Sequence, residues 1–274
     1  MTISGKTIIT GIFGFPVEHT LSPAMHNAAF EAMELDYCYV PFLVHPDKLE
    51  NAVSAIRAIN LRGINITVPH KEKVMEFLDE IHEEALFIGA VNTIVNNAGK
   101  LVGFNTDGRG FMRSLGEAGI SARDKDVLIV GAGGAARAVG YYLCREAHSL
   151  TIYGRTRSRA EGLAEDLRKV GDAVSVSNNF SDIERFHMII NATPLGLKHD
   201  DLLPFDTKNL SKEQIVYDLI YKNTRLLEEA RAKGCLVLNG SGMLLWQGAL
   251  AFELWTGELP PVEIMRRALL KAIY

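Results

Sequence analysis

Residues 127–159 decide how this chain is read: Val127-Leu128-Ile129-Val130-Gly131-Ala132-Gly133-Gly134-Ala135-Ala136-Arg137, then Ser149-Leu150-Thr151-Ile152-Tyr153-Gly154-Arg155-Thr156-Arg157-Ser158-Arg159. An apolar, β-branched run meets a glycine turn, a helix-like segment follows, and a second apolar run closes the unit. This is a strand–helix–strand pattern with Gly131, Gly133 and Ala136 at G-x-G-x-x-A spacing. Gly131 permits the tight turn, Gly133 lets the backbone approach a pyrophosphate, and Ala136 lets helix and strand pack closely. A helix opening at Gly134-Ala135 presents its N–H groups and its positive dipole end to phosphates. A glycine turn also joins strand to helix in many α/β proteins. Its place between two strands is what favours a dinucleotide.

The end of the second strand selects the cofactor. An NAD site wants an acid there to accept from the ribose hydroxyls. Gly154-Arg155-Thr156-Arg157-Ser158-Arg159 has none. Its arginines and hydroxyls suit a 2′-phosphate, which a guanidinium grips through two parallel bonds. The alternative is a solvated basic turn that starts a helix. The arginines stand where the ribose should lie, which favours NADP.

The chain has 274 residues, is 47% hydrophobic and 23% charged, and carries a formal net charge of −4. That composition fits a folded protein with room for two domains. It offers no broad basic field for nucleic acid. Cys38, Cys144 and Cys235 are scattered, without a C-x-x-C pair, which fits a reducing cytoplasm and no zinc site. No run approaches the ~20 apolar residues of a membrane helix. Thr7-Ile8-Ile9-Thr10-Gly11-Ile12-Phe13-Gly14-Phe15-Pro16 has a signal-like apolar core, but its glycines and β-branched residues read better as a strand.

Before the glycine turn, residues 7–14, 37–43 and 63–68 read as strands, with helices over 22–34 and 46–59 between them. Such alternation predicts a mostly parallel sheet. Ser22 before Pro23 reads as a helix N-cap. Thr20 and Ser22 also lie at a strand-to-helix junction, where hydroxyls can face a polar ligand. Lys71 follows the third strand, the end at which open α/β sheets bind ligands. His26 and His70 lack a second ligand at metal spacing and read as structural or solvated. A hairpin turning at residues 96–99 leads to Asn105-Thr106-Asp107, cap-forming types before a helix over 111–119.

After the arginines, a helix over 157–170 and strands over 173–176, 187–190, 215–219 and 235–238 continue the pattern. Small residues in Asn191-Ala192-Thr193-Pro194 suit close backbone approach to a cofactor. His199-Asp200-Asp201 reads as a solvated cluster rather than a metal site. Helices over 240–255 and 261–273 end the chain. Gln247 is an amide among apolar residues and needs partners, either internal or a ligand hydroxyl.

These residues together resemble the shikimate dehydrogenase family. The marks are Thr20-Leu21-Ser22-Pro23 with His26-Asn27, Asn65-Ile66-Thr67-Val68-Pro69-His70-Lys71, Gly89-Ala90-Val91-Asn92-Thr93 and Asn105-Thr106-Asp107. They continue with Gly131-Ala132-Gly133-Gly134-Ala135, Arg155-Thr156 with Arg159, Asn191-Ala192-Thr193-Pro194, Asp218-Leu219-Ile220-Tyr221, and Gly242-Met243-Leu244 leading to Gln247-Gly248. The resemblance spans nearly the whole chain. It implies an α/β protein with a substrate-binding and catalytic domain (residues 1–106 and 241–274) of mostly parallel sheet. A Rossmann-type NADP-binding domain (residues 107–240) is implied beside it, with the C-terminal helices returning to the first domain.

The resemblance further implies a cytoplasmic oxidoreductase that interconverts 3-dehydroshikimate and shikimate with NADP, on the route to chorismate and the aromatic amino acids. Lys71 and Asp107 are then the catalytic pair. Thr20, Ser22, Thr67, Asn92, Tyr221 and Gln247, with Lys71 and Asp107, hold the substrate. Gly131, Ala132, Gly133, Gly134 and Ala135 hold the pyrophosphate, and Arg155, Thr156 and Arg159 the adenosine phosphate. Leu219, Gly240 and Met243 fall at the nicotinamide end, and Glu83 stands where relatives place an acid near the cofactor. No metal is implied, and the assembly is open between monomer and homodimer.

Relatives usually carry serine at the position of Thr20 and asparagine at that of Gly154. Two other readings stay open. One is a dehydrogenase that also takes quinate. The other is a non-catalytic sensor of NADP(H) or a metabolite on the same scaffold.

Overall fold

A computed structural model describes residues 2–198 and 200–274. The chain divides into two compact units: one runs to Thr106 and resumes at Leu245–Tyr274, the other is Asp107–Leu244. His199 lies outside the described residues, so the reading of residues 199–201 as a cluster is left at Asp200 and Asp201. No helix among the described residues is long and apolar enough to cross a membrane. They also hold no group of three or more His, Cys, Asp or Glu placed to bind a metal.

The first unit is built on a six-stranded sheet in the order β2-β1-β3-β5-β6-β4. Strands β1 (Ile8–Gly14), β2 (Tyr37–Leu43) and β3 (Gly63–Ile66) are parallel, as their alternation with helices α1 (Ser22–Ala32) and α2 (Leu49–Ala58) requires. The apolar segment at residues 7–16 therefore holds a strand, β1, over Ile8–Gly14. Strands β5 (Thr93–Asn97) and β6 (Lys100–Phe104) form a hairpin, and β5 runs antiparallel to β3. Ala98 (φ 52°) and Gly99 (φ 97°) both have positive φ, the turn geometry whose twist matches the paired strands. A two-residue strand, β4 (Glu80–Ile81), pairs parallel with β6 at the sheet edge, and a short helix, α3 (Glu83–Ile88), follows it.

The C-terminal helices complete this unit. They are α8 (Ser241–Thr256), which crosses from the second unit into the first, and α9 (Val262–Ile273), which packs on α1. Trp255 is fully buried, donates from Nε1 to Ile94 O (3.0 Å), and receives Arg62 Nε at its own carbonyl (2.6 Å). A side chain at Gly63 would run into this indole. Burying one such large side chain stabilises the fold by roughly 1.5–3 kcal/mol.

Two expectations are corrected here. Ser22 does not cap α1, because Leu21 occupies the cap position and no side chain bonds the helix end. The Ser22 hydroxyl is drawn instead to the Tyr39 phenol. The helix after the hairpin begins at Asp107 rather than Phe111 (α4, Asp107–Glu117), so Asp107 lies in its first turn and not ahead of it.

The second unit carries a fully parallel sheet in the order β12-β11-β10-β7-β8-β9. Its strands are β7 (Asp126–Val130), β8 (Ser149–Tyr153), β9 (Val174–Ser177), β10 (Met188–Asn191), β11 (Ile215–Asp218) and β12 (Leu236–Asn239). Helices α5 (Gly134–Glu146), α6 (Arg157–Leu167) and α7 (Arg225–Ala232) intervene. Counted from β7, this is the 3-2-1-4-5-6 order of a doubly wound dinucleotide fold. The order reverses between β7 and β10, and the crevice beyond their carboxyl ends is where such sheets bind ligands. Val127, Leu128, Ile129, Val130, Met188, Ile189 and Ile190 are buried, as the central strands of a sheet covered on both faces require.

Candidate active site

The second unit holds a cleft of about 300 Å³ at that switch point. Its lining combines Gly131, Ala132 and Gly133, then Gly154, Arg155, Thr156 and Arg159, then Ala192, Thr193, Pro194 and Leu195. Gly131 follows β7 with φ 122°, and an added Cβ would lie 2.9 Å from Ala192 O. Both facts require glycine. Gly133 is the N-cap of α5 and no side chain bonds that helix end. A Cβ on Gly133 or Gly134 would meet nothing within 4 Å. The helix N-terminus with Gly134 and Ala135 thus opens onto uncrowded space, as anion binding requires.

The arginines separate into two roles. Arg155 and Arg159 line the cleft with Thr156. Arg157 turns away, to Glu161 (2.6 Å) and Asn178. Gly154 lines the same space, and a Cβ there would approach those of Ala160 (3.2 Å) and Ala132 (3.3 Å). The side chain missing at residue 154 is matched by two methyls closing in. This donor set, a bare helix end beside two guanidiniums, has the chemistry a dinucleotide with an extra phosphate demands.

The third wall, residues 192–195, is built by hydrogen bonds. Asn191 Oδ1 accepts from Thr193 N (3.1 Å) and Thr193 Oγ1 (2.7 Å), and Thr193 Oγ1 accepts from Leu195 N (3.2 Å). The small residues seen here in the sequence do form cleft, though the spacing alone assigned them no residue-level part. Leu219, Gly240 and Met243 lie outside this lining. Gly240 N donates to Ile220 O (2.9 Å), and a side chain on Gly240 would collide with Leu219 O. Met243 is buried (9% exposed), and its backbone meets the Tyr217 hydroxyl. Tyr221 is half-buried, with Lys222 Nζ 5.9 Å from its ring centroid. Asp107 is half-buried in the first turn of α4. Asp201 accepts from the backbone of Gly196 and Lys198 (both 3.0 Å), which lowers its pKa.

The first unit gathers a polar cluster around the carboxyl end of β3 and the start of β5. Tyr39 is 2% exposed, and its hydroxyl donates to Asn65 Oδ1 (2.8 Å) and also meets Ser22. Asn65 Nδ2 donates to Thr93 Oγ1 (3.0 Å), and Thr93 Oγ1 donates to Asn92 Oδ1 (2.9 Å). Asn92 Nδ2 donates to Thr106 Oγ1 (2.9 Å), while Thr106 N donates to Asn92 Oδ1 (2.8 Å). The family resemblance pointed to Ser22 and Asn92 but gave no part to Tyr39, Asn65 or Thr93. Their contacts span 26 to 28 residues and leave no local signal.

Thr20, half-buried, accepts from Ser22 N (3.4 Å). Thr67, also half-buried, carries a methyl against which a side chain at Gly14 would press (2.5 Å). Lys71 is half-buried, and its backbone is anchored by Val91 N donating to its carbonyl (2.8 Å). Its neighbour His70 is buried and bonded to Val44 O (2.8 Å), so it is structural. Gln247 is half-buried on the portion of α8 that belongs to this unit. Glu83 is exposed at the start of α3 and is not part of the cleft lining.

Three family descriptions match the chain: the shikimate dehydrogenase substrate binding domain over residues 12–94, shikimate / quinate 5-dehydrogenase over 115–197, and the shikimate 5′-dehydrogenase C-terminal domain over 240–270. A shikimate dehydrogenase (NADP(+)) of Desulforamulus reducens is 47% identical, covering 99% of this chain and 97% of its own. The chain belongs to the shikimate dehydrogenase family.

The family fold is shared in detail. A crystal structure of a shikimate dehydrogenase in complex with NADP+ superposes with a TM-score of 0.94 at 40% identity, covering 100% of this chain and 98% of the other. A quinate dehydrogenase of Corynebacterium glutamicum in complex with NAD gives 0.90 at 34% identity, covering 97% and 99%. Shikimate dehydrogenase relatives and this chain thus have two α/β units of mostly parallel strands with C-terminal helices.

Proposed function

We propose that this chain catalyses the reversible, NADP-dependent reduction of 3-dehydroshikimate to shikimate, as a cytoplasmic enzyme of aromatic amino acid biosynthesis. One observation carries the cofactor choice: the glycine turn and the Arg155–Arg159 pair line one continuous cleft, with no acid among its walls. The second unit would bind the cofactor and the first the substrate.

The bound nicotinamide supplies the hydride, and the chain's residues do the rest. The α5 N-terminus, with Gly131 to Ala135, takes the pyrophosphate. Arg155, Thr156 and Arg159 take the 2′-phosphate. Leu219, Gly240 and Met243 shape the nicotinamide end, and Glu83 lies near the cofactor. Thr20, Ser22, Thr67, Asn92, Tyr221 and Gln247 hold the substrate carboxylate and hydroxyls. The Lys71 ammonium stabilises the negative charge that grows on the ketone oxygen and gives that oxygen its proton. Asp107 holds the ammonium in position. Acid–base help of this kind contributes about 10²–10⁴ in rate.

The test is direct. NADPH oxidation with 3-dehydroshikimate, and NADP reduction with shikimate, should proceed at rates well above those with NAD. Absence of turnover in either direction would remove the reading and leave a non-catalytic NADP(H) sensor.

A second reading, a dehydrogenase that also accepts quinate, is favoured by the likeness to the quinate enzyme; quinate carries an extra hydroxyl beside the carboxylate, where Thr20 would sit. Assaying both substrates with both cofactors separates the two. Light scattering distinguishes the monomer from the homodimer, and either fits.

A further inference from the structure

Asp218 ends β11 with no exposed surface (0%), and the reaction outlined above gives it no part. Its carboxylate is held by neutral donors. Oδ1 accepts from Asn191 Nδ2 (3.0 Å) and Ile220 N (3.1 Å), and Oδ2 accepts from Thr224 Oγ1 (2.7 Å). A buried acid in such surroundings is costly unless its hydrogen bonds are complete. Burial raises its pKa, and the three donors oppose that rise.

These bonds fix a neighbour. Asn191 Oδ1 already faces two Thr193 donors, so its Nδ2 must face Leu195 O (3.2 Å) and Asp218. A flipped amide would set NH₂ against the Thr193 donors and its oxygen against a carboxylate, both repulsive. Asp218 and the Thr193 donors together dictate which way Asn191 points, and Asp218 supplies the acceptor on the amide's nitrogen side. Asn191 in turn shapes residues 192–195, a whole wall of the cleft. The same carboxylate, through Ile220 N, sets the segment whose Ile220 carbonyl receives Gly240 N (2.9 Å).

We propose that Asp218 is a positioning residue for the cofactor: it orients Asn191, and Asn191 holds Thr193 and Leu195 in the shape that closes the dinucleotide cleft. The proposal rests on the reading that this cleft takes NADP(H). Asp218 touches no reacting atom. It acts by holding a wall in the bound form before the ligand arrives, which lowers the ordering cost of binding.

The test measures NADPH affinity by fluorescence titration, with steady-state kinetics and thermal melting, on the intact protein. Asp218→Ala should weaken NADPH binding about tenfold or more, with the KM for 3-dehydroshikimate changed by less than about twofold. Asp218→Asn keeps an accepting oxygen for Asn191 and Ile220 and should recover affinity to within about threefold of wild type. Should Asp218→Ala fail to fold, Thr193→Val decides: it should weaken NADPH about threefold or more, with a melting shift of only a few degrees.

A folded Asp218→Ala protein with wild-type NADPH affinity would overturn the proposal. So would equal losses for substrate and cofactor in both Asp218 variants, or wild-type affinity in Thr193→Val where Asp218→Ala does not fold. Wild-type protein that binds no NADPH would overturn both this proposal and the reading beneath it, whereas wild-type binding with unchanged variants overturns this proposal alone.

Discussion

The Gly131 amide donates to the Tyr153 carbonyl over 2.7 Å. The glycine turn after β7 is thereby fastened to the last residue of β8, just before the arginines. Two walls of the cleft, the glycine turn and the arginine turn, are joined by this one backbone bond.

Gly131→Ala should therefore damage both stability and cofactor binding. The φ of 122° and the 2.9 Å approach to Ala192 O leave no relaxed position for a methyl. A loss of about 1–3 kcal/mol in unfolding free energy is expected from the backbone strain. Denaturant unfolding and NADPH titration of the same sample check it. Unchanged values in both would mean that the turn is softer than its geometry indicates.

Arg155→Ala should raise the KM for NADP about tenfold or more while barely moving the KM for NAD. Arg157→Ala, whose guanidinium is engaged by Glu161 and Asn178, should move neither by more than about twofold. Steady-state kinetics with both cofactors decide. Equal effects of Arg155→Ala on NADP and NAD would count against the 2′-phosphate grip.

Lys71→Ala should lower kcat by about 10²–10⁴ with a smaller change in KM, the mark of a group acting on the developing charge. The backbone bond from Val91 N should survive, since it uses only the Lys71 carbonyl. A well-folded variant with unaltered turnover would take Lys71 out of the chemistry.

Tyr39→Phe should keep the aromatic packing, because His26 stacks on the ring at 4.4 Å between centroids. It removes the hydroxyl that meets Asn65 and Ser22. A destabilisation of about 1–3 kcal/mol is expected from the acceptor left behind. The KM for shikimate should rise while that for NADP stays put. A matching rise for both ligands would point to general loosening instead.

His26 gives the fold an acid sensitivity. It has no exposed surface, neither ring nitrogen has a hydrogen-bond partner among the described residues, and burial lowers its pKa from 6.5 to about 3. The unfolded chain takes up a proton as pH falls below about 6.5, and the folded chain does not. Stability is thus fully present above that pH and is lost as pH falls toward the folded value. The loss from this residue between pH 7 and pH 5 is about 2 kcal/mol. His26→Phe should flatten that part of the profile in urea melts at the two pH values. Identical slopes for wild type and variant would assign the sensitivity to other groups.

Local patterns carried much of the architecture. The alternation of apolar runs, the glycine turn and the arginine turn each write their chemistry in a few adjacent residues. Strands β1, β2, β7, β8, β10 and β11 were legible in this way, as were Gly131, Gly133, Arg155 and Arg159 at the cleft. Ser22 shows the limit. Its local pattern spelled a helix cap, but a phenol from β2 claims its hydroxyl. The Asn191–Asp218 pair, 27 residues apart, is equally invisible until the strands are side by side. Arg157 looked like its neighbours in sequence, and only its rotation on α6 toward Glu161 sets it apart.

The unit begun first is also the last to be finished. Trp255, which ties Ile94 and Arg62 together, leaves the ribosome long after both of them. The contiguous stretch from Asp107 to Leu244 can collapse while synthesis continues, whereas the amino-terminal sheet must wait with its face unsheltered until the last helices emerge. Nascent chains stalled short of residue 255 should be the ones that chaperones hold.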